Sequence, residues 1–491
     1  MKDTGRIKQA LDERARAIVF GEDLSETIRD QMPHIARIDR AHLVMLSERE
    51  IVRRPDAVAV LQKLADLEHQ DFAPLRGREC LRGLFLTYED YLIETLGSRT
   101  GGILQTARSR NDLNATLLKL RLRRPIFRLL AETVRLQTEL ATQAQQHRGT
   151  VMCLYTHFQP AVPATFGHYL AGVASALVRD LDGIADASAD VERCPLGAGA
   201  AAGTTFPIDT ARTAQLLGFA GGPVVHSLDA VASRDLVLRL LASGAILGST
   251  LARFASDFLV WSTAEYRYIQ LPDRLVGSSS LMPQKRNPFL LEHVKGLSVA
   301  PLGAFVTAAT TMHGAPFTNS VAVGTEAVRD VWLALGRLTD AVVLMRLIVA
   351  GAMPDAEAMA QRAADSNVVA TEVANMLVTA TGVDFRSAHH LVGELTLVAD
   401  ASGERLGAVA ARRLPAPVGE LAATVDPAMV VHASEYGGGP GPASMDRALA
   451  EICDATTRTR QLIRSRVMGW KAAERALGDA VARLLATAAN A

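Results

Sequence analysis

The segment Asp235–Trp261, DLVLRLLASGAILGSTLARFASDFLVW, decides the fold. It contains no proline and is apolar on almost every side, and as a helix it would run about 40 Å. A helix apolar all round must be enclosed by other helices, in its own chain or in partners. Phe166 to Ala187 and Val331 to Ala352 read the same way, with Ala and Gly residues that permit close helix approach. Across the 491 residues, hydrophobic side chains make up 49% but aromatics only 5%. The apolar mass is therefore Ala, Leu and Val, which favours packed helices over a β-sandwich. The expectation is an all-α chain of three helical domains. These are an N-terminal domain over residues 1–110, a central long-helix bundle over 111–365 and a smaller C-terminal domain over 366–491. The bundle is expected to be completed by oligomerisation.

Charge and cysteine usage narrow the function. The chain has 52 basic and 52 acidic residues, which argues against a surface built for nucleic acid or for nonspecific membrane binding. Cys80, Cys153, Cys194 and Cys453 lie far apart without a CxxC pair, so they read as free thiols rather than a disulfide frame or a zinc site. The first twenty residues are charged throughout and lack the apolar core of a signal peptide. No apolar run of about 18 residues is free of charges and breakers, so no membrane span is expected. A soluble, cytoplasmic protein is the reading.

Polar loops interrupt the helical pattern. TARSRNDLNAT (106–116) sets Ser109, Arg110 and Asn111 side by side. If a helix starts just after them, with Asn111 or Asp112 near its cap, its free N–H groups and dipole make a carboxylate site; the same string also serves as a plain helix cap. YTHFQP (155–160) holds Thr156, His157 and Gln159 on a proline-bounded loop, where a histidine is as readily structural as catalytic. CPLGAGAAAGTTFP (194–207) is a glycine-rich break. HSLDAVASRDLVL (226–238) puts Asp229, Arg234 and Asp235 at the mouth of the long apolar helix, where Arg234 fixes a loop or an anion, or forms an ion pair. GSSSLMPQKRNP (277–288) combines a glycine hinge, three serines and a stiffened second half in which Pro283 and Pro288 hold Lys285 and Asn287. A serine there, close to Lys285 and backbone N–H groups, loses its proton more easily than in water.

Taken together, SRND (109–112), YTHFQPAVP (155–163), GAGAAAGTTFPID (197–209), SLDAVASRD (227–235) and SSSLMPQKRNP (278–288) resemble the fumarase/aspartase superfamily, in the order and spacing of argininosuccinate lyase. The similarity runs from about Tyr88 to Asp400, with weaker echoes at Ala41-His42 and Gly437–Gly439. The resemblance implies a homotetramer around a twenty-helix core, five long helices per subunit, with each active site built from loops of three subunits. It implies an anti β-elimination. A proton leaves the carbon beside one carboxylate, and the C–N or C–O bond then breaks to release fumarate from a succinyl compound. Ser279 matches the base and His157 the residue serving the leaving group. Lys285 and Asn287 match the groups that hold the carboxylates and ease deprotonation of the serine; Ser109, Arg110, Asn111, Thr156 and Gln159 match the rest of the carboxylate cradle, with Arg234 a further substrate-binding candidate. The position usually filled by glycine before that base is Ser278 here, with Gly277 one residue earlier. Neither metal nor organic cofactor is implied, because side chains and helix dipoles supply the acid–base chemistry.

Departures from the pattern fall on the amine half of the substrate. Where argininosuccinate lyases carry DxHM, this chain has GLFL (83–86), so the histidine becomes Phe85. Where they carry a string like YNKDMQEDKE, gapless alignment on Pro316 gives NSVAVGTEAV (319–328). The tyrosine becomes Asn319, the first lysine Val321, the glutamine Gly324 and the second lysine Ala327. A site built to hydrogen-bond a polar substrate loses orders of magnitude without those partners. The reading is a carbon–nitrogen lyase acting on an N-substituted aspartate other than argininosuccinate. Two alternatives stand beside it: an authentic argininosuccinate lyase using Glu326 or Arg329, and a non-catalytic structural member like the lens crystallins.

Overall fold

Asp235–Trp261 is one unbroken helix in the computed structural model, which describes residues 6–7, 9–80 and 82–488. The helices that build and support the site are α1 (Ser25–Glu48), α2 (Leu84–Leu96), α3 (Arg110–Gln146), α4 (Phe166–Ala187), α5 (Asp235–Trp261), α6 (Phe289–Ser298), α7 (Ala300–His313), α8 (Val331–Gly351) and α9 (Pro442–Ala488). The three long segments read from the sequence are α4, α5 and α8, and α8 stops one residue short because Ala352 is extended.

Seven of these helices pack together as a bundle. α3 packs along α4, α8 and α9, while α5 packs against α4, α6, α7 and α8. Leu130, Leu177, Leu240, Phe258, Leu338 and Met345 share its core. Small residues set the spacing as expected: a Cβ at Gly248 of α5 would lie 2.2 Å from the Ser298 carbonyl oxygen, so only glycine lets α5 approach α6 this closely. A second core gathers Ile38, Tyr88 and Leu117 with Leu477 and Leu484, so α9 runs from the bundle back to the N-terminal helices. A third, around Val373, Leu395, Val409 and Ala422, stands in the C-terminal part.

The bundle helices are not fully covered by their own chain. Ile246 and Val260 on α5, Leu302 and Val306 on α7, and Leu333 and Leu347 on α8 face outward as large apolar side chains. By length and composition α5 and the stretch 289–313 are long and apolar enough to cross a membrane; α5 spends Leu240, Leu247, Phe254 and Phe258 on the protein core. All four cysteines are free thiols.

Three small antiparallel ladders interrupt the helices among the described residues. β1 (Val151–Thr156) pairs with β2 (Gln159–Thr165), Val151 opposite Thr165 and Thr156 opposite Gln159. The stretch YTHFQPAVP is therefore a hairpin rather than an irregular loop, its prolines tolerated because a two-stranded ribbon has free edges. β3 (Ile269–Gln270) pairs with β6 (Met353–Pro354), and β4 (Gly277–Ser278) with β5 (Arg286–Asn287), which closes the serine-rich loop at its base.

Candidate active site

The N-terminus of α3 is built by a reciprocal cap. Ser109 is the N-cap, its Oγ accepting from the Asn111 amide at 3.3 Å, while Asp112 Oδ1 accepts from the Ser109 amide at 3.0 Å. The cap thus falls two residues before Asn111 and three before Asp112. Arg110 and Asn111 occupy the first turn, where the helix dipole favours an anion. Asp112 is fully buried, and its second oxygen accepts from the amides of Gly197 and Gly199, both at 3.0 Å. Burial raises its pKa even against these hydrogen bonds. This carboxylate ties the glycine-rich loop to the helix start. Gly199 is obligatory there, at φ +61° and with any Cβ only 2.6 Å from the Gly203 carbonyl oxygen.

Asn111 is held from both ends. Its Nδ2 donates to the Ala200 carbonyl at 2.9 Å and its Oδ1 accepts from Asn319 Nδ2 at 2.8 Å. Asn319 fits because its neighbour lacks a side chain: a Cβ at Gly324 would lie 3.0 Å from Asn319 Oδ1. Two departures from the family string therefore meet in space and are physically coupled. Val321 is exposed, and Ala327 is buried in the bundle core after a π-helical turn over Ala322–Glu326. That extra residue per turn rotates the following face inward.

A buried network that the sequence reading did not single out supports this cap from below. Arg108 Nη1 donates to Asp39 Oδ1 at 2.6 Å with both side chains inaccessible to solvent, and Tyr88 OH donates to Asp39 Oδ2 at 2.9 Å. The Arg108 guanidinium lies 5.7 Å from the centre of the Phe85 ring, so Phe85 is buried beneath the cap rather than open to a ligand. His42 Nε2 lies 2.9 Å from the Thr106 carbonyl oxygen and so donates to it. Burial, followed by the nearby Arg108, pushes His42 down to about 3. Of these residues only Phe85 and Ala41-His42 had a sequence signal.

The remaining candidates sit on separate elements. Thr156, His157 and Gln159 are exposed at the hairpin tip, where His157 and Phe158 both adopt left-handed backbone (φ 50° and 61°). Arg234 caps α5 and is buried, donating to the Ser233 carbonyl at 2.7 Å; burial pushes it down to about 10. Its neighbours are Asp190 and Lys119, themselves paired at 2.7 Å. Ser279 stands half-buried just beyond β4, its Oγ accepting from the amides of Met282 at 3.0 Å and Leu281 at 3.3 Å. Two N–H donors on one hydroxyl oxygen stabilise its deprotonated form. Lys285 is exposed, and Asn287 Nδ2 reaches across the ladder to the Ser278 carbonyl at 3.4 Å. Arg286 anchors the loop base to Asp273 and to the Leu271 carbonyl.

Within one chain, then, Ser109, Asn111, the 197–203 loop and Asn319 form one hydrogen-bonded group. Among the described residues, neither the hairpin tip nor the Ser279 loop makes a side-chain hydrogen bond to that group.

Known proteins resemble this chain in sequence and fold. A family model described as lyase matches residues 55–303, and one for the argininosuccinate lyase C-terminal region matches 367–432. An argininosuccinate lyase of Halobacterium salinarum is 36% identical over 426 residues, spanning 85% of this chain and 86% of its own. That of Methanothrix thermoacetophila is 34% identical over 420 residues, spanning 84% and 85%. Among solved structures, EDDS lyase in complex with formate superposes with a TM-score of 0.85 at 30% identity, covering 95% of this chain and 93% of its own.

Proposed function

This chain belongs to the argininosuccinate lyase family of the fumarase/aspartase superfamily and is a fumarate-releasing carbon–nitrogen lyase; from that premise we propose that it acts on an N-substituted aspartate whose amine is not arginine. One observation carries this reading. The motifs that handle the succinyl half are complete, whereas the segment after the mobile loop offers Asn319, Val321, Gly324 and Ala327 in place of tyrosine, lysine, glutamine and lysine. The contact from Asn319 to Asn111 supports it, since it turns the amine-side segment toward the carboxylate cradle instead of leaving a hydrogen-bonding vacancy. EDDS lyase, by its name, is a lyase for another compound on the same fold.

In the proposed reaction Ser279, as alkoxide, takes the proton from the carbon beside one carboxylate. The pair of hydroxyl-directed amides at Leu281 and Met282 supports that role. Lys285, Asn287 and the α3 cap hold the two carboxylates while the second negative charge develops. The C–N bond then breaks, its electrons pass to nitrogen, and His157 serves the departing amine. Arg234, buried beside the Lys119–Asp190 pair and bonded to the Ser233 carbonyl, fixes the start of α5 rather than reaching ligand directly. We place the enzyme in the cytoplasm as a homotetramer whose sites combine loops of three copies, a reading supported by the exposed apolar faces of α5, α7 and α8.

An authentic argininosuccinate lyase would need Glu326 or Arg329 for the guanidino group. These two pair with each other at 2.9 Å, which argues against it. The test is a panel of N-substituted aspartates incubated with purified protein, fumarate being followed by ultraviolet absorbance. Fumarate from at least one other member with argininosuccinate left intact is the expected result; rapid turnover of argininosuccinate overturns the substrate assignment. Ser279→Ala is expected to lower the active reaction by about a hundred- to ten-thousand-fold. Failure of every substrate, with Ser279→Ala indistinguishable from the parent, would support a non-catalytic role.

A further inference from the structure

Away from the candidate active site, a cleft of about 480 Å³ opens between α1, α3 and α9, walled among others by Arg37, Arg123, Arg124, Phe127, Arg128 and Trp470. The geometry points to a binding site for an organic polyphosphate that carries an aromatic ring, of the nucleoside di- or triphosphate class.

The charge is local and largely uncompensated. The chain as a whole is neutral, yet four arginines line this one cleft. Arg124 and Arg128 stand a helical turn apart on the same face of α3, exposed, with no ion pair or hydrogen bond among the described residues. Arg37 meets Glu474 only at 3.9 Å, and its Nε and Nη2 are buried without a partner. Of the other carboxylates near the cleft, Glu192 is engaged by the Trp470 indole N–H at 3.4 Å and by Arg466 at 3.8 Å, and Asp30 pairs with Arg121. At the rim, His34 is held below its ordinary pKa first by burial and then by the charges of Arg121 and Arg37, against the opposing charge of Asp30. Guanidinium groups at i, i+4 spacing, about 6 Å apart at Cβ, suit successive phosphates, and their forked donors suit phosphate oxygens.

The cleft also has a flat apolar wall. Trp470 and Phe127 meet edge to face at 4.7 Å between ring centres, and the Arg123 guanidinium lies 5.1 Å from the Trp470 ring and 4.3 Å from that of Phe219. Arg123 is itself pinned, donating to the carbonyls of Leu217 and Gly218, so this wall is rigid. Arg123 is buried between Phe219 and Trp470 and backs the wall, so a planar base can stack on the half-buried Trp470 indole while its phosphates reach Arg124, Arg128 and Arg37. The volume suits a ligand of nucleotide size. Most outward apolar side chains of the bundle lie on α5, α7 and α8; of the helices that form the cleft, α9 exposes Met468.

Isothermal titration of the full-length protein with ADP, ATP, pyrophosphate and adenosine tests this. ADP and ATP are expected to bind in roughly the 10–100 μM range, with pyrophosphate and adenosine each at least about tenfold weaker. Arg124→Ala/Arg128→Ala is expected to weaken ADP by at least about tenfold and, since both residues are exposed, to leave thermal melting and fumarate release unchanged. Arg124→Glu serves as a second variant should the double one melt early. Trp470→Leu is expected to weaken ADP while leaving pyrophosphate unaffected. Absence of nucleotide binding, equal ADP affinity in parent and arginine variants, or displacement of ADP by fumarate would each overturn the site. Pyrophosphate binding as tightly as ADP would overturn the role of the ring.

Discussion

His42 illustrates how a single buried group sets the acid limit of the fold. It is sealed from solvent, neutral, and donates to the Thr106 carbonyl just ahead of the α3 cap, with its pKa pushed from 6.5 to about 3. In the unfolded chain the same ring titrates near its ordinary value. Between those two values the unfolded state binds more protons, so the stabilisation is complete above about pH 6.5 and is lost as pH falls toward 3. From pH 7 to pH 5 this group alone removes about 2 kcal/mol. His42→Gln, which retains an N–H donor without a titrating ring, is therefore expected to show a smaller drop in Tm between pH 7 and pH 5 than the parent. Equal drops would mean that another group governs acid unfolding. A second residue-scale test addresses the coupled pair near the cradle. Gly324→Ala places its methyl 3.0 Å from Asn319 Oδ1 and is expected to push that amide off Asn111. With about 1 kcal/mol for the lost hydrogen bond, KM for fumarate in the amine-addition direction should rise about fivefold. Asn319→Ala should do the same, and the double variant no more than either alone. Additive losses would show that the two positions act separately.

Among the elements, the β1–β2 hairpin stores strain where the chemistry is proposed. Its two-residue turn, His157-Phe158, puts both residues at positive φ, a conformation that costs a side-chain-bearing residue about 1 kcal/mol or more. Phe158 is 86% exposed, so removing its ring forfeits little packing. Phe158→Gly is therefore expected to raise Tm while lowering kcat, because a relaxed turn no longer fixes His157; a lower Tm would count against stored strain. This element also marks what the sequence leaves hidden. α4 and α5 were legible to the residue, since long apolar runs without proline have few alternatives to a bundle helix. The hairpin was not, because Pro160 and Pro163 read as breakers and nothing in a single strand announces its free edges. The ladder closing the Ser279 loop is two residues on each side, too short to show a period. The Asp39–Arg108–Tyr88 network joins residues 49 and 69 positions apart, so no local pattern could reveal it. The candidate site residues, by contrast, lie in short contiguous motifs, whereas the contact between Asn319 and Asn111 spans 208 positions and exists only in three dimensions.

At the scale of the whole molecule, one chain is an unfinished object. Ile246, Val260, Leu302, Val306, Leu333 and Leu347 leave apolar faces on three bundle helices, and covering each side chain is worth about 1.5–3 kcal/mol at most. The hairpin tip and the Ser279 loop, meanwhile, make no side-chain hydrogen bond to the Asn111 group of their own chain among the described residues. Both observations are met if neighbouring copies cover the helices and exchange these loops. Sedimentation should then give four times the 52.5 kDa of one chain, and Ile246→Glu/Leu333→Glu should lower both mass and fumarate release together. The sharper test mixes two inactive variants, Ser279→Ala and Asn111→Ala, unfolded and refolded as equal partners. If base and cradle come from different copies, a site is intact when the first donor happens to carry Ser279 and the second happens to carry Asn111. Each has even odds, so about a quarter of the parent activity should return. If both residues act within one chain, every site in the mixture carries one lesion or the other, and no activity returns.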